Sequence, residues 1–171
     1  MDKPTAILSA EHKNILKMID VLMKECDLAA ETGEINRDFF EKAIDFIKNY
    51  ADKFHHAKEE DILFVEFCKA EDQFHCNPTE QMLYEHNLGR DFVKGMVAGL
   101  SEGNPDKLID NARGYACLLR DHIAKEDNIL YPMIDEHFNE ATQNTILEKF
   151  KAAEKNRFNQ GEKEKYLALF L

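Results

Sequence analysis

Apolar residues along the chain recur every three or four positions, which is the period of an amphipathic α-helix rather than of a β-strand. In the first segment these positions are Leu8, His12, Ile15, Ile19, Leu22 and Cys26. The pattern is interrupted by glycine, asparagine and proline, the residues that end and begin helices. We therefore predict four long helices and a shorter fifth one, which run from about Pro4 to Glu31, Asn36 to Lys69, Pro78 to Gly103, Pro105 to His137 and Ala141 to Asn156.

Each predicted long helix has one apolar stripe to bury, and the loops between the helices are short. These features predict an all-α fold, namely an antiparallel up-and-down four-helix bundle with a short additional C-terminal helix and tail. We assign residues 1–158 to the bundle with its short fifth helix and residues 159–171 to a polar linker and an apolar tail. The tail either docks on the bundle or forms a dimer contact, so we expect a monomer or a homodimer.

The balance of charges narrows the classes of partner. The chain has 171 residues and a formal net charge of −11, and it lacks the clusters of lysine and arginine that nucleic acids and anionic membranes require. No apolar run approaches the roughly 18 to 20 residues of a membrane span, and the first residues do not resemble a signal peptide. We expect a soluble cytoplasmic protein that binds neither nucleic acid nor membrane.

Histidines and glutamates recur in an internal repeat. His56 and Glu60 in the second predicted helix are echoed by His122 and Glu126 in the fourth, and each pair is four residues apart. This spacing places both side chains of a pair on one face of an α-helix, one turn apart. A second repeat consists of Glu11-His12 in the first helix and Glu85-His86 in the third helix. From the two repeats we take as candidate ligands His12, His56, Glu60, His86, His122 and Glu126.

These candidates lie on or beside the apolar stripes, where an unpaired carboxylate would cost several kcal/mol. A metal ion removes that cost and also uses the lone pairs of neutral imidazoles. Imidazole and carboxylate ligands without thiolate favour iron or manganese over zinc. The twofold pattern predicts two metal ions, each held by two histidines, with Glu60 and Glu126 as bridges. Glu59, three residues after His56, is an alternative to Glu60, whereas His55 points about 100° away from His56 and is expected outside the ligand set.

With these residues the sequence resembles the hemerythrin-like, or HHE cation-binding, family over roughly Ala10 to Met133. The resemblance rests on Glu11-His12, Glu85-His86 and the two His-x-x-x-Glu segments with their aromatic ends. It implies a four-helix bundle around two iron ions (Fe²⁺/Fe³⁺) with an oxo or hydroxo bridge. It also implies that the four predicted histidines are terminal ligands and that Glu60 and Glu126 are the bridges.

The sequence departs from the oxygen-carrying hemerythrins on the third helix and shares a further spacing with them on the fourth. Those proteins have two histidines one turn apart on the third helix, whereas here His86 has Met82 one turn before it and Arg90 one turn after it. They use an aspartate five residues after the fourth-helix histidine, so Asp127 is an alternative to Glu126. We expect a non-haem di-iron protein that binds O₂ or another small diatomic ligand, such as NO, for sensing, storage or delivery. The alternatives are a redox enzyme acting on peroxide, nitric oxide or O₂, and a protein of iron storage or iron–sulfur repair; whether the chain is an enzyme stays open.

Overall fold

The computed structural model describes residues 3–70, 72, 76–157 and 161–169, and within these ranges the chain is helical and contains no strand. The first helix, α1, spans Pro4–Thr32. It ends at Gly33, whose positive φ of 74° lets its N–H reach the carbonyl of Ala29. Helix α1 therefore ends within one residue of the predicted end at Glu31.

The second helical stretch, 37–69, is partly α-helical and partly π-helical. It consists of α2 (Arg37–Phe46), two π-helical segments (Ile47–His56 and Glu59–Leu63) and α3 (Phe64–Lys69). Asn36 begins it, because its side chain accepts a hydrogen bond from the N–H of Phe39. A π-helical turn holds more residues than an α-helical turn, and such turns are frequent at functional sites.

The third and fourth stretches begin and end near the predicted residues. Helix α4 spans Thr79–Glu102 and ends at Gly103, which has a φ of 64°. Helix α5 spans Pro105–Lys125, and the Asn104 side chain caps it by accepting from the N–H of Lys107. A third π-helical segment, Glu126–Leu130, and helix α6, Tyr131–His137, continue α5. Helix α5 packs against both α4 and α1.

Two apolar clusters fill the interior, and a polar layer lies between them along the helices. On α1, Leu8 belongs to one cluster and Ile15 to the other, with the buried His12 between them. On α4, His86 lies in the same way between Met82 and Val93. The polar layer is therefore enclosed by apolar packing at both ends, which keeps water from its side chains.

The C-terminal part packs on this interior. Helix α7 spans Glu140–Arg157 and contacts α1 and the two π-helical segments of the second stretch. Helix α8 spans Glu162–Ala168, and its Tyr166 is buried and donates a hydrogen bond to Asp45 at 3.0 Å. Residues 158–160, where we placed the domain boundary, and the last two residues of the tail lie outside the described residues. None of the described helices is long and apolar enough to cross a membrane.

Candidate metal centre

Imidazoles and carboxylates from all four long helical stretches meet in the polar layer. They form two groups, each with ligand atoms within 4.8 Å of one another. The three-histidine group is His56, Glu59, His86 and His122, and the two-histidine group is His12, His55, Glu59 and Glu126. We call these residues together the centre. Each is at most 5% exposed, so the centre is shielded from solvent.

The two glutamates of the centre lie between the two groups. Glu59 Oε2 is 3.5 Å from His86 Nε2 and 3.6 Å from His55 Nε2. Glu126 Oε2 is 3.3 Å from His12 Nε2 and 3.3 Å from His122 Nε2. Each carboxylate therefore faces one histidine of either group, as a ligand shared by two ions would.

A carboxylate lies beside the Nδ1 atom of every histidine in the centre. In four pairs the two side chains are hydrogen-bonded at 2.7–3.0 Å: His12 with Asp127, His55 with Glu11, His86 with Glu60, and His122 with Glu85. In the fifth pair, the Nδ1 atom of His56 lies 3.5 Å from Asp52. A charged carboxylate only accepts hydrogen bonds, so the Nδ1–H of each hydrogen-bonded ring donates. That tautomer leaves the lone pair of Nε2 directed at the centre, which is the arrangement of metal-binding histidines.

Basic side chains hold these outer carboxylates in turn. Lys58 donates to Glu11, and Lys125 donates to Glu85. Arg90 donates to both Asp52 and Glu60 at 2.6 Å. The hydrogen bonds thus continue outward from the ring nitrogens through the carboxylates to basic side chains, which fixes the orientation of the rings.

Several carboxylate oxygens at the middle of the centre lack a hydrogen-bond donor among the described residues. Glu59 Oε2 and both oxygens of Glu126 are buried and have no hydrogen-bond donor within the described part of the chain. His86 Nε2 and His122 Nε2 are only 3.0 Å apart, and the Nδ1 of each ring already pairs with a carboxylate, so two lone pairs face each other. Ligand atoms of one ion with bonds of about 2.1 Å have this spacing. The residues of the centre therefore fit metal ions.

Burial and the neighbouring charges shift the pKa values of several residues of the centre. Burial, reinforced by the negative charge of Glu126, raises the pKa of Glu59 well above its usual range. Burial and the neighbouring His86 ring lower the pKa of His56 to about 3, so this imidazole is neutral. Burial lowers the pKa of His12, but Asp127 and Glu126 outweigh that effect and raise it to about 9. A cation at the centre would favour the charged form of Glu59 and the neutral form of His12, whereas His122 and His12 already hold the pKa of Glu126 well below its usual range.

Compared with the predicted ligands, the structure brings His12, His56, His86, His122 and Glu126 together but not Glu60. The half-buried carboxylate of Glu60 turns outward to His86 Nδ1 and Arg90, and Glu59 takes the place between the groups. His55, which we expected outside the ligand set, is 1% exposed and belongs to the two-histidine group. Our prediction assumed α-helical geometry, whereas the π-helical turns direct the adjacent rings of His55 and His56 into the interior.

A signal for Glu59 was present in the sequence. Residues 55–59 and residues 122–126 share the pattern His-x-Ala-Lys-Glu, so the repeat is in register when His55 is aligned with His122. The aligned residues make matching contacts, since Lys58 and Lys125 each bond the glutamate that holds the histidine of their own segment. Asp127, the alternative to Glu126, bonds His12 Nδ1 and Ser9 instead of facing the centre.

A cavity of about 240 Å³ adjoins the three-histidine group. The residues that line it include His56, His86, Tyr115 and Arg90. It is large enough for a diatomic molecule, since an engineered cavity of about 150 Å³ binds benzene. A small molecule therefore has space beside the centre.

Fold and site together define a class: an all-helical protein whose interior presents imidazoles and carboxylates to a cation. The family model for the hemerythrin HHE cation-binding domain matches residues 3–134, and the chain belongs to that family. The match covers every residue of the centre. No curated protein and no solved structure matches the chain.

Proposed function

We propose that the centre holds two iron ions and that the protein binds O₂ or another small diatomic ligand there. One ion would be held by His56, His86 and His122, and the other by His12 and His55. Glu59 and Glu126 would bridge the two, with an oxo or hydroxo group as a further bridge. The observation that carries this proposal is the position of both glutamates, each of which faces a histidine of either group.

The donor set favours iron. Imidazole and carboxylate without thiolate are typical ligands of non-haem iron, whereas a structural zinc site is complete with four ligands. The two groups together offer more donors than one ion takes. When bound, the irons would supply a redox-active pair.

The protein's own residues prepare this site in three ways. The outer carboxylates hold four of the five imidazoles in the tautomer that binds metal. The apolar clusters exclude water from both sides of the centre. The cavity beside His56 and His86 provides space for a diatomic molecule.

We infer further that the helices form the antiparallel up-and-down bundle of the family, and that the protein works in the cytoplasm without nucleic acid or membrane partners.

The function can be tested with the reduced, iron-loaded protein. Limiting O₂ is added under anaerobic conditions, and we expect an absorption band that disappears when O₂ is removed under vacuum. Immediate and irreversible oxidation, with turnover of added peroxide, would contradict reversible binding and favour the redox enzyme.

Two histidine variants provide the matched comparison for this experiment. His122→Ala should lose iron and the band together, because it removes a ligand of the three-histidine group. His137→Ala is the control, since His137 lies on the same helical stretch but contacts the carbonyl of Met133 outside the centre. An equal loss of iron in both variants would mean that the effect does not come from the centre.

A further inference from the structure

The two halves of the centre differ in one aromatic side chain. Phe64 and Tyr131 occupy equivalent places in the internal repeat, five residues after Glu59 and Glu126 respectively. The ring of Phe64 lies parallel to that of His86, with centroids 6.0 Å apart, and the ring of Tyr131 lies parallel to that of His12 at 5.5 Å. The rings therefore have the same packing role, and the hydroxyl of Tyr131 is the chemical difference between them.

That hydroxyl contacts the centre directly. Tyr131 is 2% exposed, and its hydroxyl donates a hydrogen bond of 2.5 Å to Glu59 Oε1. It also lies 3.4 Å from His12 Nε2 in the two-histidine group. The equivalent Phe64 has no hydrogen-bond donor to offer Glu126.

The two glutamates of the centre consequently differ in how many of their oxygens lack a hydrogen-bond donor. Glu59 has Oε1 bonded to Tyr131, and only its Oε2 lacks a donor. Both oxygens of Glu126 lack a donor in the described residues. The free Oε2 of Glu59 is also the atom that faces His55 of one group and His86 of the other.

We propose that Tyr131 is a positioning residue that holds Glu59 by Oε1, so that Glu59 bridges the two ions through Oε2 alone while Glu126 can bridge through both oxygens. This inference rests on the proposed two-ion centre. It makes the two bridges unequal, and it places a fixed hydrogen-bond donor beside the ion that has fewer histidines.

The test compares the iron-loaded wild type with Tyr131→Phe. The substitution keeps the ring, and Phe64 shows that the fold accepts phenylalanine at the equivalent position. With Oε1 released, Glu59 can bridge through two oxygens, so we expect a longer iron–iron distance by X-ray absorption and a changed magnetic coupling. The iron content should stay the same as in the wild type.

Tyr115→Phe is the matched control. It also removes a buried tyrosine hydroxyl beside the centre, but that hydroxyl has no hydrogen-bond partner among the described residues. We expect the control to keep the wild-type iron–iron distance. The reciprocal variant Phe64→Tyr should shorten the distance, because its new hydroxyl would occupy one oxygen of Glu126.

The possible results separate this inference from the proposed function. Two irons per chain with the same distance in wild type and Tyr131→Phe would overturn the role of Tyr131 alone. A tyrosinate absorption band in the ferric wild type that is lost in Tyr131→Phe would also overturn it, since Tyr131 would then be a ligand itself. Fewer than two irons in the wild type would overturn the two-ion centre and this inference with it.

Discussion

Glu59 and Glu60 are adjacent acids with different places in the structure. Glu59 is fully buried between the two groups, whereas Glu60 holds His86 from outside. Glu59→Gln replaces a shared anionic ligand with a neutral amide, so we expect the metal content to fall to about one ion per chain or less. Glu60→Gln should keep both ions but bind them roughly 10- to 100-fold more weakly, which is the usual effect of losing a ligand's supporting hydrogen bond.

Metal analysis after dialysis, together with competition against a chelator, distinguishes these outcomes. The two variants remove the same charge from neighbouring positions, so each is a control for the other. If Glu60→Gln lost an ion and Glu59→Gln kept both, the assignment from sequence would be preferred to the one based on the structure.

The sequence indicated the kind of site better than the identity of every ligand. Recurring histidine and glutamate on apolar stripes pointed to a buried cation site, because burial without a cation is costly. The choice between Glu59 and Glu60 depended on the shape of one helix. His55 and Glu59 have the same four-residue spacing as His56 and Glu60, so spacing alone could not separate the two pairs.

The helices themselves were largely predictable, because their ends follow simple chemistry. Gly33 and Gly103 adopt the positive φ values that favour glycine, and Asn104 caps α5 with its side chain. The π-helical segments were not predictable in this way. They contain ordinary helix-forming residues, and their widened turns are found together with the ring packing and hydrogen bonds of the centre.

Two glycines of α4 provide a test of how closely the helices pack. A Cβ atom at Gly99 would lie 2.6 Å from the backbone nitrogen of Leu108 on α5, so Gly99→Ala must push the two helices apart. We expect it to lower the free energy of unfolding by roughly 1 to 3 kcal/mol. At Gly89 the nearest atom, on Tyr115, is 3.7 Å away, which is an ordinary contact. Gly89→Ala should therefore raise the free energy of unfolding by up to about 1 kcal/mol through helix propensity.

Urea unfolding of both variants beside the wild type checks this pair of expectations. The two substitutions are chemically identical and lie in the same helix, so only the local approach of α5 distinguishes them. Equal effects on the free energy of unfolding would show that α4 and α5 do not approach as closely as the structure indicates.

Several acidic side chains of the protein lie in the centre or next to it. Part of the formal charge of −11 comes from buried or half-buried carboxylates in and around the centre, and the basic partners found there within the described residues are Lys58, Arg90 and Lys125. The acids outnumber these partners. Metal ions would neutralise the remainder, which makes the metal part of the folded protein's charge balance.

In the proposed centre, seven side chains hold two iron ions as one coupled pair. The most direct test is the iron content of protein produced with iron, measured per chain and combined with the Mössbauer spectrum of the oxidised form. A two-ion centre predicts two irons per chain with the magnetic coupling of a bridged ferric pair. One iron or fewer per chain, or two irons without coupling, would contradict it.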